Sequence, residues 1–336
     1  MNNFNALWLS KTTDSTIETC IRKTQLEELS EGDVSIQSDY SSLNFKDALA
    51  TQAKSGVIRS YPIIPGIDVS GKVIQSNQED LPVGTNVLVT GYGLGVSHTG
   101  GLSEIVSVPH EWVVKTPKQA TNREVMCFGT AGFTAALAIH ALETKGEMTP
   151  KNQPNILVTG ASGGVGSLAI QMLKQLGYTN VWALSRKKDS AKEFFQKIGA
   201  TQVFTPEEIT PDKKRPLLSQ QFHYIIDTVG GHQLEILLPQ MYYGGSLALC
   251  GNAGGISYTT TVLPHILRGV NLFGIDSVAV PMSLRTQIWD RMITEMKPAD
   301  LSQHIQQEIT LEQVPDACQT ILQGNMQGRY LVRLTN

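Results

Sequence analysis

Val158-Thr159-Gly160-Ala161-Ser162-Gly163-Gly164-Val165-Gly166 is the stretch on which the fold turns. A short apolar run, Ile156-Leu157-Val158, leads into it, and an apolar segment of helical length, Leu168 to Leu176, leads out. Strand, glycine-rich turn, helix is the entry of a dinucleotide-binding βαβ unit. In that reading the glycines do different work. Gly163 lets the backbone come close to a pyrophosphate, and Gly166 lets the helix pack against the strand. The helix then directs free N–H groups and the positive end of its dipole at the phosphates. Ala161 stands where the usual fingerprint has its first glycine, so the pattern is A-x-G-x-x-G. Its predicted pyrophosphate loop is Ala161, Ser162, Gly163, Gly164, Val165 and Gly166.

Downstream, strand and helix patterns alternate. The strand candidates are Ile156–Thr159, Val181–Ser185, Gln202–Phe204, Tyr224–Asp227, Leu247–Cys250 and Leu272–Ile275. Between them, Ala191, Phe194, Phe195 and Ile198 fall at helical spacing, as do Leu234, Leu237, Leu238 and Met241. Six strands joined by helical crossovers predict an α/β fold with a doubly wound parallel sheet. Upstream, residues 1–120 read as β-rich. Apolar runs such as Val34-Ser35-Ile36 and Val87-Leu88-Val89 are punctuated by prolines and glycines, which suits a barrel-like domain with long loops. Thr121-Asn122-Arg123-Glu124 has the form of a capping box and predicts a helix reaching about Leu142. Near the end, Val314, Ala317, Cys318, Ile321 and Leu322 mark one face of a helix. The strand Tyr330-Leu331-Val332 follows it and is expected to return to the first domain. The predicted division is 1–125 with 299–336, and 126–298.

The cofactor is read one strand further on. An NAD site carries an acidic residue roughly 20 positions past the glycine motif, bonded to the ribose 2′-hydroxyl. Here that place holds Ser185, followed by Arg186, Lys187 and Lys188. A carboxylate repels a 2′-phosphate, whereas a hydroxyl followed by cations binds it, which favours NADPH. Asp189 lies past the expected strand end. Ligands of a doubly wound sheet sit at the carboxyl ends of its strands. That adds Asp227-Thr228-Val229-Gly230, Cys250-Gly251-Asn252-Ala253 and Gly274-Ile275-Asp276-Ser277, with Asn252 and Ser277 as candidates for the nicotinamide end.

Composition closes off other classes. The chain has 336 residues, 41% hydrophobic and 17% charged, as a folded protein with sizeable cores requires. A net charge of −3 offers no basic surface for nucleic acid, and Lys213-Lys214-Arg215 is too short to supply one. No uninterrupted apolar run approaches the roughly 20 residues of a membrane helix. The first residues, Met1-Asn2-Asn3-Phe4-Asn5, lack the features of a secretory signal. Cys20, Cys127, Cys250 and Cys318 are far apart, without the spacing of a metal or disulfide framework. Reduced thiols in the cytoplasm are the expectation.

Several stretches together carry a resemblance. They are Ser41–Ala50 (SSLNFKDALA), Ile64–Gly71 (IPGIDVSG), Gly129–Ala135 (GTAGFTA), the glycine turn itself, and Asp227–Gly231 (DTVGG). Thr260–Gly269 (TTVLPHILRG), Gly274–Val278 (GIDSV) and Gly328–Val332 (GRYLV) complete the set. In this order they run along nearly the whole chain. The sequence resembles the medium-chain dehydrogenase/reductase superfamily and, within it, the quinone oxidoreductase-like, YhdH/AcuI-type acrylyl-CoA reductase branch. The resemblance implies a GroES-like catalytic domain, a Rossmann domain and a cleft between them. It also implies NADPH-dependent reduction of the carbon–carbon double bond of acryloyl-CoA or a related α,β-unsaturated carbonyl, and a homodimer.

The residues it points to as catalytic are Asn44, Phe45, Lys46 and Asp47. As cofactor contacts it adds Thr130, Cys250, Ile275 and Arg329 to those already named. Phe45 replaces a tyrosine often found in the family, and Gly91-Tyr92-Gly93 replaces a G-W-G loop. Zinc-dependent relatives carry a G-H-E stretch where this chain reads Gly66-Ile67-Asp68, and their early ligand cysteine falls near Asn44. Isoleucine cannot ligate a metal, and His98, His110 and His140 are scattered, so no metal is expected. Without one, hydrogen bonds or the nicotinamide-ribose 2′-hydroxyl must steady the charge that builds on the thioester oxygen. Asn44 is the candidate for orienting the substrate or that ribose. Lys46 and Asp47 read as an ion pair, and Arg329 as a contact to cofactor or substrate. Lys54, Arg59 and Arg268 are candidates for coenzyme A phosphates. Two alternatives accompany this reading, a quinone or general enone reductase and a non-catalytic NADPH-binding protein.

Overall fold

A hairpin opens the chain in the computed structural model, which describes residues 3–335. Strands β1 (Phe4–Lys11) and β2 (Ile17–Thr24) pair antiparallel. Then come β3 (Val34–Ser42), β4 (Asp68–Ser76), β5 (Asn86–Thr90), β6 (Ile105–Val108) and β7 (Val114–Lys115). Next follow β8 (Ile156–Thr159), β9 (Val181–Leu184), β10 (Gln202–Phe204), β11 (Phe222–Asp227), β12 (Met241–Leu249) and β13 (Asn271–Gly274). Last are β14 (Ile305–Ile309) and β15 (Arg329–Arg333).

The chain forms two compact units. The first is the chain up to Thr130 with Val278–Ile293 and the part from Ile305 onward, and the second is Ala131–Ser277 with Thr294–His304. These limits differ from 125/126 and 298/299. One reason is Arg285, a fully buried cation on the helix Met282–Ile293. Its guanidinium donates to the Thr90 carbonyl at 2.8 Å and the Val278 carbonyl at 3.0 Å, and lies 4.4 Å over the Tyr92 ring. Burying a guanidinium is costly unless it is bonded this way, so the helix goes where its partners are.

In the first unit the sheet order is β14-β15-β3-β4-β5-β7, and β6 also pairs with β3. Val34, Ile36, Val69, Val73, Val87 and Val89 fill its core, the side chains that β-branched strands bury well. As expected, the last strand returns here: β15 runs antiparallel to β3, with Leu331 opposite Ser42. That pairing brings the start of β15, the end of β3 and the start of β4 to one end of the sheet.

The second unit is a six-stranded parallel sheet in the order β10-β9-β8-β11-β12-β13. The order reverses between β8 and β11, the switch point at which such sheets hold ligands beyond their carboxyl ends. β8 and β10 match their predicted limits. β12 begins six residues earlier than predicted, at Met241, because the preceding helix His232–Leu237 gives way to a 3₁₀ turn carrying Pro239. Met241 is therefore the first residue of a strand and not the last of a helical face.

The capping box holds: Thr121 N–H donates to Glu124 Oε2 at 2.8 Å, and Glu124 N–H to Thr121 Oγ1 at 3.2 Å. The helix it starts runs Asn122–Thr144, 23 residues with a mean hydropathy of 1.7 in its most apolar window. It is not an uninterrupted apolar run, since Thr130, Thr134 and His140 break it. By length and composition this helix could cross a bilayer, yet 89% of the window is buried within the protein, and the helix breaks at Gly129.

Candidate active site

The glycine turn is built as its residues dictate. β8 is fully buried, and the helix Gly164–Gln175 starts directly after Gly163, its N-cap. The first N–H groups of a helix have no partner within it, so those of this one point out of the turn. A methyl group added at Gly166 would lie 2.6 Å from the Gly160 carbonyl oxygen and 2.8 Å from Ala161 Cα. The helix therefore packs against the turn at a distance that only glycine allows. At Gly163 the same addition meets nothing closer than the Gly160 carbonyl oxygen at 3.2 Å. That contact is tight, but no other atom lies within 4 Å, which leaves room for a pyrophosphate in front of the helix start.

Four other loops leave the same carboxyl edge. Ser185 directly follows β9, and its hydroxyl accepts the Lys187 N–H at 3.1 Å. Arg186 is exposed and, among the described residues, has no ion-pair partner, whereas Lys188 pairs with Glu208 at 2.5 Å. Burial and the neighbouring Arg186 pull the Lys187 ammonium below its usual range. At the end of β11, Asp227 is buried. It accepts the Thr159 hydroxyl and the Gly230 N–H, each at 2.7 Å, and burial raises its carboxyl above the usual range. Asp227 thereby ties two loops together.

Cys250 follows β12, and its thiol is pushed up to about 12, first by burial and then by Asp227. It is a neutral, space-filling group and not a nucleophile. Asn252 is exposed, while Ile275 and Ser277 are partly buried after β13. Ile275 N–H donates to the Leu249 carbonyl at 2.9 Å, which ties that loop to the end of β12. The structure therefore brings Ala161–Gly166, Ser185–Lys187, Cys250, Asn252, Ile275 and Ser277 to one edge of one sheet.

The other predicted residues gather in the first unit around Asp68, a residue the sequence had marked only as part of a metal-free stretch. Asp68 is 0% exposed. It accepts the Ser42 hydroxyl at 2.6 Å, Asn44 Nδ2 at 2.8 Å, and from Thr130 both the N–H at 3.0 Å and the hydroxyl at 2.5 Å. Arg329 Nη2 lies 3.5 Å from its Oδ2. The broken helix makes this possible. Gly129 has φ 52°, ψ −159°, which takes the Thr130 N–H out of the helical ladder and turns it to the carboxylate. A side chain at 129 would collide with Ser42 Oγ, with Asp68 Oδ2 at 2.5 Å and with Arg329 Nη2 at 2.7 Å.

One expectation fails at this cluster. Lys46 and Asp47 form no ion pair among the described residues. The Asp47 carboxylate instead reaches back to the Asn44 N–H at 2.8 Å and across to the Ile67 N–H at 3.0 Å. Asp47 is buried, and its carboxyl is pushed up to about 7, first by desolvation and then by Asp68. Arg329, expected as a contact to cofactor or substrate, lies buried within the cluster. It is 1% exposed, with Nη2 donating to Ser42 Oγ at 2.5 Å and Nη1 to Asn44 Oδ1 at 3.3 Å. Phe45, by contrast, is 40% exposed.

Of the coenzyme A candidates, Arg268 is spent on the main-chain carbonyls of Leu218, Pro239 and Met241, at 2.6, 2.8 and 3.0 Å. Lys54 is exposed, and Arg59 borders a groove of about 610 Å³ with Trp8, Glu28 and Ser30. Among the described residues, no group of three or more His, Cys, Asp or Glu side chains is arranged to hold a metal. His98 is held by the carbonyls of Thr99 and Glu31, at 3.0 and 3.1 Å.

A β-rich unit and a parallel sheet with strand order 3-2-1-4-5-6 define a two-domain dinucleotide-dependent oxidoreductase fold, and comparison with known proteins agrees. Residues 30–118 match the alcohol dehydrogenase GroES-like domain, and residues 164–295 match the family described as zinc-binding dehydrogenase. The chain is 42% identical to the putative quinone oxidoreductase YhfP of Bacillus subtilis, over 98% of this chain and 99% of that one. It is 41% identical to the acrylyl-CoA reductase AcuI of Ruegeria pomeroyi, over 98% of each.

Among solved structures, the yhdH oxidoreductase of Salmonella enterica in complex with NADP superposes with a TM-score of 0.93 at 40% identity, covering 98% of this chain and 100% of that one. The Bacillus subtilis protein yhfP with NAD bound gives 0.94 at 41%, covering 99% and 100%. The chain belongs to the medium-chain dehydrogenase/reductase superfamily, in its quinone oxidoreductase-like, acrylyl-CoA reductase branch.

Proposed function

We propose that the protein is a zinc-independent, NADPH-dependent reductase of α,β-unsaturated carbonyls that converts acryloyl-CoA to propanoyl-CoA. The observation that carries this reading is the loop row of the parallel sheet. A glycine turn leaves room for a pyrophosphate, and Ser185-Arg186 stands where a carboxylate would turn a 2′-phosphate away. The acrylyl-CoA reductase relative supports the substrate class. When bound, NADPH would supply the hydride for the β-carbon of the enoyl thioester, and a proton from water would complete the reduction at the α-carbon. The free N–H groups at the start of Gly164–Gln175 bind the pyrophosphate, and Ser185, Arg186 and Lys187 bind the 2′-phosphate. Asn252, Ile275 and Ser277 receive the nicotinamide end, and Asn44 and Thr130 orient the reacting groups. Phe45 lends apolar surface to the substrate, and Lys46 lies beside it. Arg329 and Asp47 hold this constellation from within.

The test is turnover of acryloyl-CoA with deuterated NADPH after exhaustive chelation. We expect undiminished activity and deuterium at C3 of the propanoyl product. Label at C2 only, or turnover of quinones without acryloyl-CoA, would hand the reading to a quinone reductase, which is how the YhfP relative is named. Activity that disappears with stoichiometric zinc would remove the metal-free mechanism.

We also infer a cytoplasmic homodimer. The four cysteines are unpaired, as a reducing compartment keeps them. Val262, Ile266 and Leu267 are 65%, 67% and 56% exposed just ahead of β13, the last strand of its sheet. An apolar face beside an open strand edge is a surface that a second copy covers. Sedimentation of a monomer at micromolar concentration would exclude the dimer.

A further inference from the structure

Three cations follow β9, and the structure gives them different company. Arg186 is exposed and, among the described residues, has no ion-pair partner. Lys187 is partly buried close to it. Lys188, in contrast, faces a carboxylate. Its Nζ lies 2.5 Å from Glu208 Oε1, with the two side chains 35% and 44% exposed. Glu208 belongs to the next loop along the sheet edge. β9 and β10 are parallel neighbours, and Ser185 N–H donates to the Phe204 carbonyl at 2.9 Å, so the turn after β9 lies against the turn after β10. There the other carboxylate oxygen of Glu208, Oε2, takes the Thr205 N–H at 2.8 Å in the capping box of the helix Pro206–Ile209. The Lys188 bond first, and the Thr205 N–H second, hold the Glu208 carboxyl below its usual range, so it is ionised at neutral pH. A carboxylate already fixed by the backbone gives up little freedom when it pairs with a lysine.

A 2′-phosphate carries about two negative charges at neutral pH and gains from every cation that can turn to it. A lysine can turn, since its ammonium rides on a flexible four-carbon stem. We propose that Glu208 is a specificity-determining residue, which withholds Lys188 from the 2′-phosphate and so limits the preference for NADPH over NADH. The inference rests on the placement of that phosphate at Ser185, Arg186 and Lys187, and it deepens that reading. Selectivity is then set by an anion on the neighbouring loop as well as by the lack of one at position 185. All these groups belong to the second unit, at one edge of one sheet.

The experiment is a double-mutant cycle read by cofactor binding. Dissociation constants of NADPH and NADH are measured by fluorescence titration on the intact wild type, Glu208→Gln, and Glu208→Gln with Lys188→Met. Low salt is used, where exposed charges are least screened. Glutamine keeps an oxygen for the Thr205 N–H and loses the charge. In Glu208→Gln we expect NADPH to bind about fivefold more tightly, the worth of one exposed ion pair, while NADH is unchanged. In the double variant a neutral pair replaces an ion pair, and the preference returns to its wild-type value.

A Glu208 that only caps its helix would change both cofactors equally or neither, leaving the ratio as it was, and that result overturns the proposal. A double variant that keeps the gain overturns it too, because the charge of Glu208 would then act without Lys188. So does a double variant that prefers NADPH less than the wild type, which would mean that Lys188 already serves the phosphate. A wild type that prefers NADH sinks the placement of the 2′-phosphate and the proposal with it, a result distinct from the other three.

Discussion

The glycine turn and the Asp68 cluster are opposite ways of making a site. The turn works by what it lacks: Gly166 has no side chain because the helix packs against Gly160, and Gly163 has none in front of the helix start. The groups it offers are the free backbone N–H groups at the start of the helix Gly164–Gln175. The Asp68 cluster works by side chains. Ser42, Asn44, Asp68, Thr130 and Arg329 come from four segments spread over nearly 290 residues, and they bond chiefly to one another. The turn is shaped by local geometry, and the cluster by side chains that fix one another's orientation. The first kind of site tolerates substitution of its neighbours but not of its glycines. The second is expected to spread the effect of any one change across several partners.

The comparison breaks most visibly at Gly163. Gly163→Val fills the space in front of the helix, and its Cβ meets only the Gly160 carbonyl oxygen at 3.2 Å, a tight contact that a shift of a few tenths of an ångström would relieve. We expect the NADPH dissociation constant to rise about 100-fold or more, roughly 2.8 kcal/mol, with little change in Tm. Titration calorimetry beside a thermal melt checks this. A large fall in Tm would mean that the turn is a packing device first. Next in size is Arg186→Glu. It replaces an exposed cation with a charge that repels a 2′-phosphate, and we expect NADPH to bind about tenfold more weakly while NADH changes little. If the wild type itself prefers NADH in kcat/KM, the assignment of the 2′-phosphate site is wrong.

The smallest effect belongs to the cluster and is one of stability. Asp47 is held protonated up to about 7, whereas its unfolded value is 3.8. Between those values the folded protein binds a proton that the unfolded chain has released. The contribution is whole below the unfolded value, declines as pH rises, and is gone above about 7. Asp47→Asn has no such proton. Urea unfolding across this window should show the wild type losing stability relative to the variant as pH rises. Parallel curves for the two proteins would show that Asp47 is ionised throughout.

How much was legible follows from this division. Ile156–Thr159 was read to the residue, as was the turn behind it, because strand, glycine spacing and helix lie within some 20 consecutive positions. The helix from Asn122 was read from its cap, but its break at Gly129 was not. The glycine sits in an apolar helical run, and only Asp68 and Arg329 packed against it explain the bend. Asn44 was singled out as a member of a motif, yet nothing in Ser41–Ala50 says which way its amide points. Lys46 and Asp47, adjacent in sequence, read as a pair, although desolvating Asp47 favoured two backbone N–H groups over a lysine.

The sequence by itself determined the parallel sheet, the row of loops at its carboxyl edge and the absence of an acidic residue at 185. Each is written in short-range periodicity or in a single residue type, and backbone sterics enforce both. Only the tertiary structure decided that Asp68 is the centre of a buried polar cluster in the first unit, that Arg329 is buried within it, and that Arg285 bonds its helix into that unit. Those are buried charges. What a buried charge does is set by which distant partners satisfy it, because leaving it unsatisfied costs more than the fold can bear, and those partners are chosen by packing and not by sequence neighbourhood.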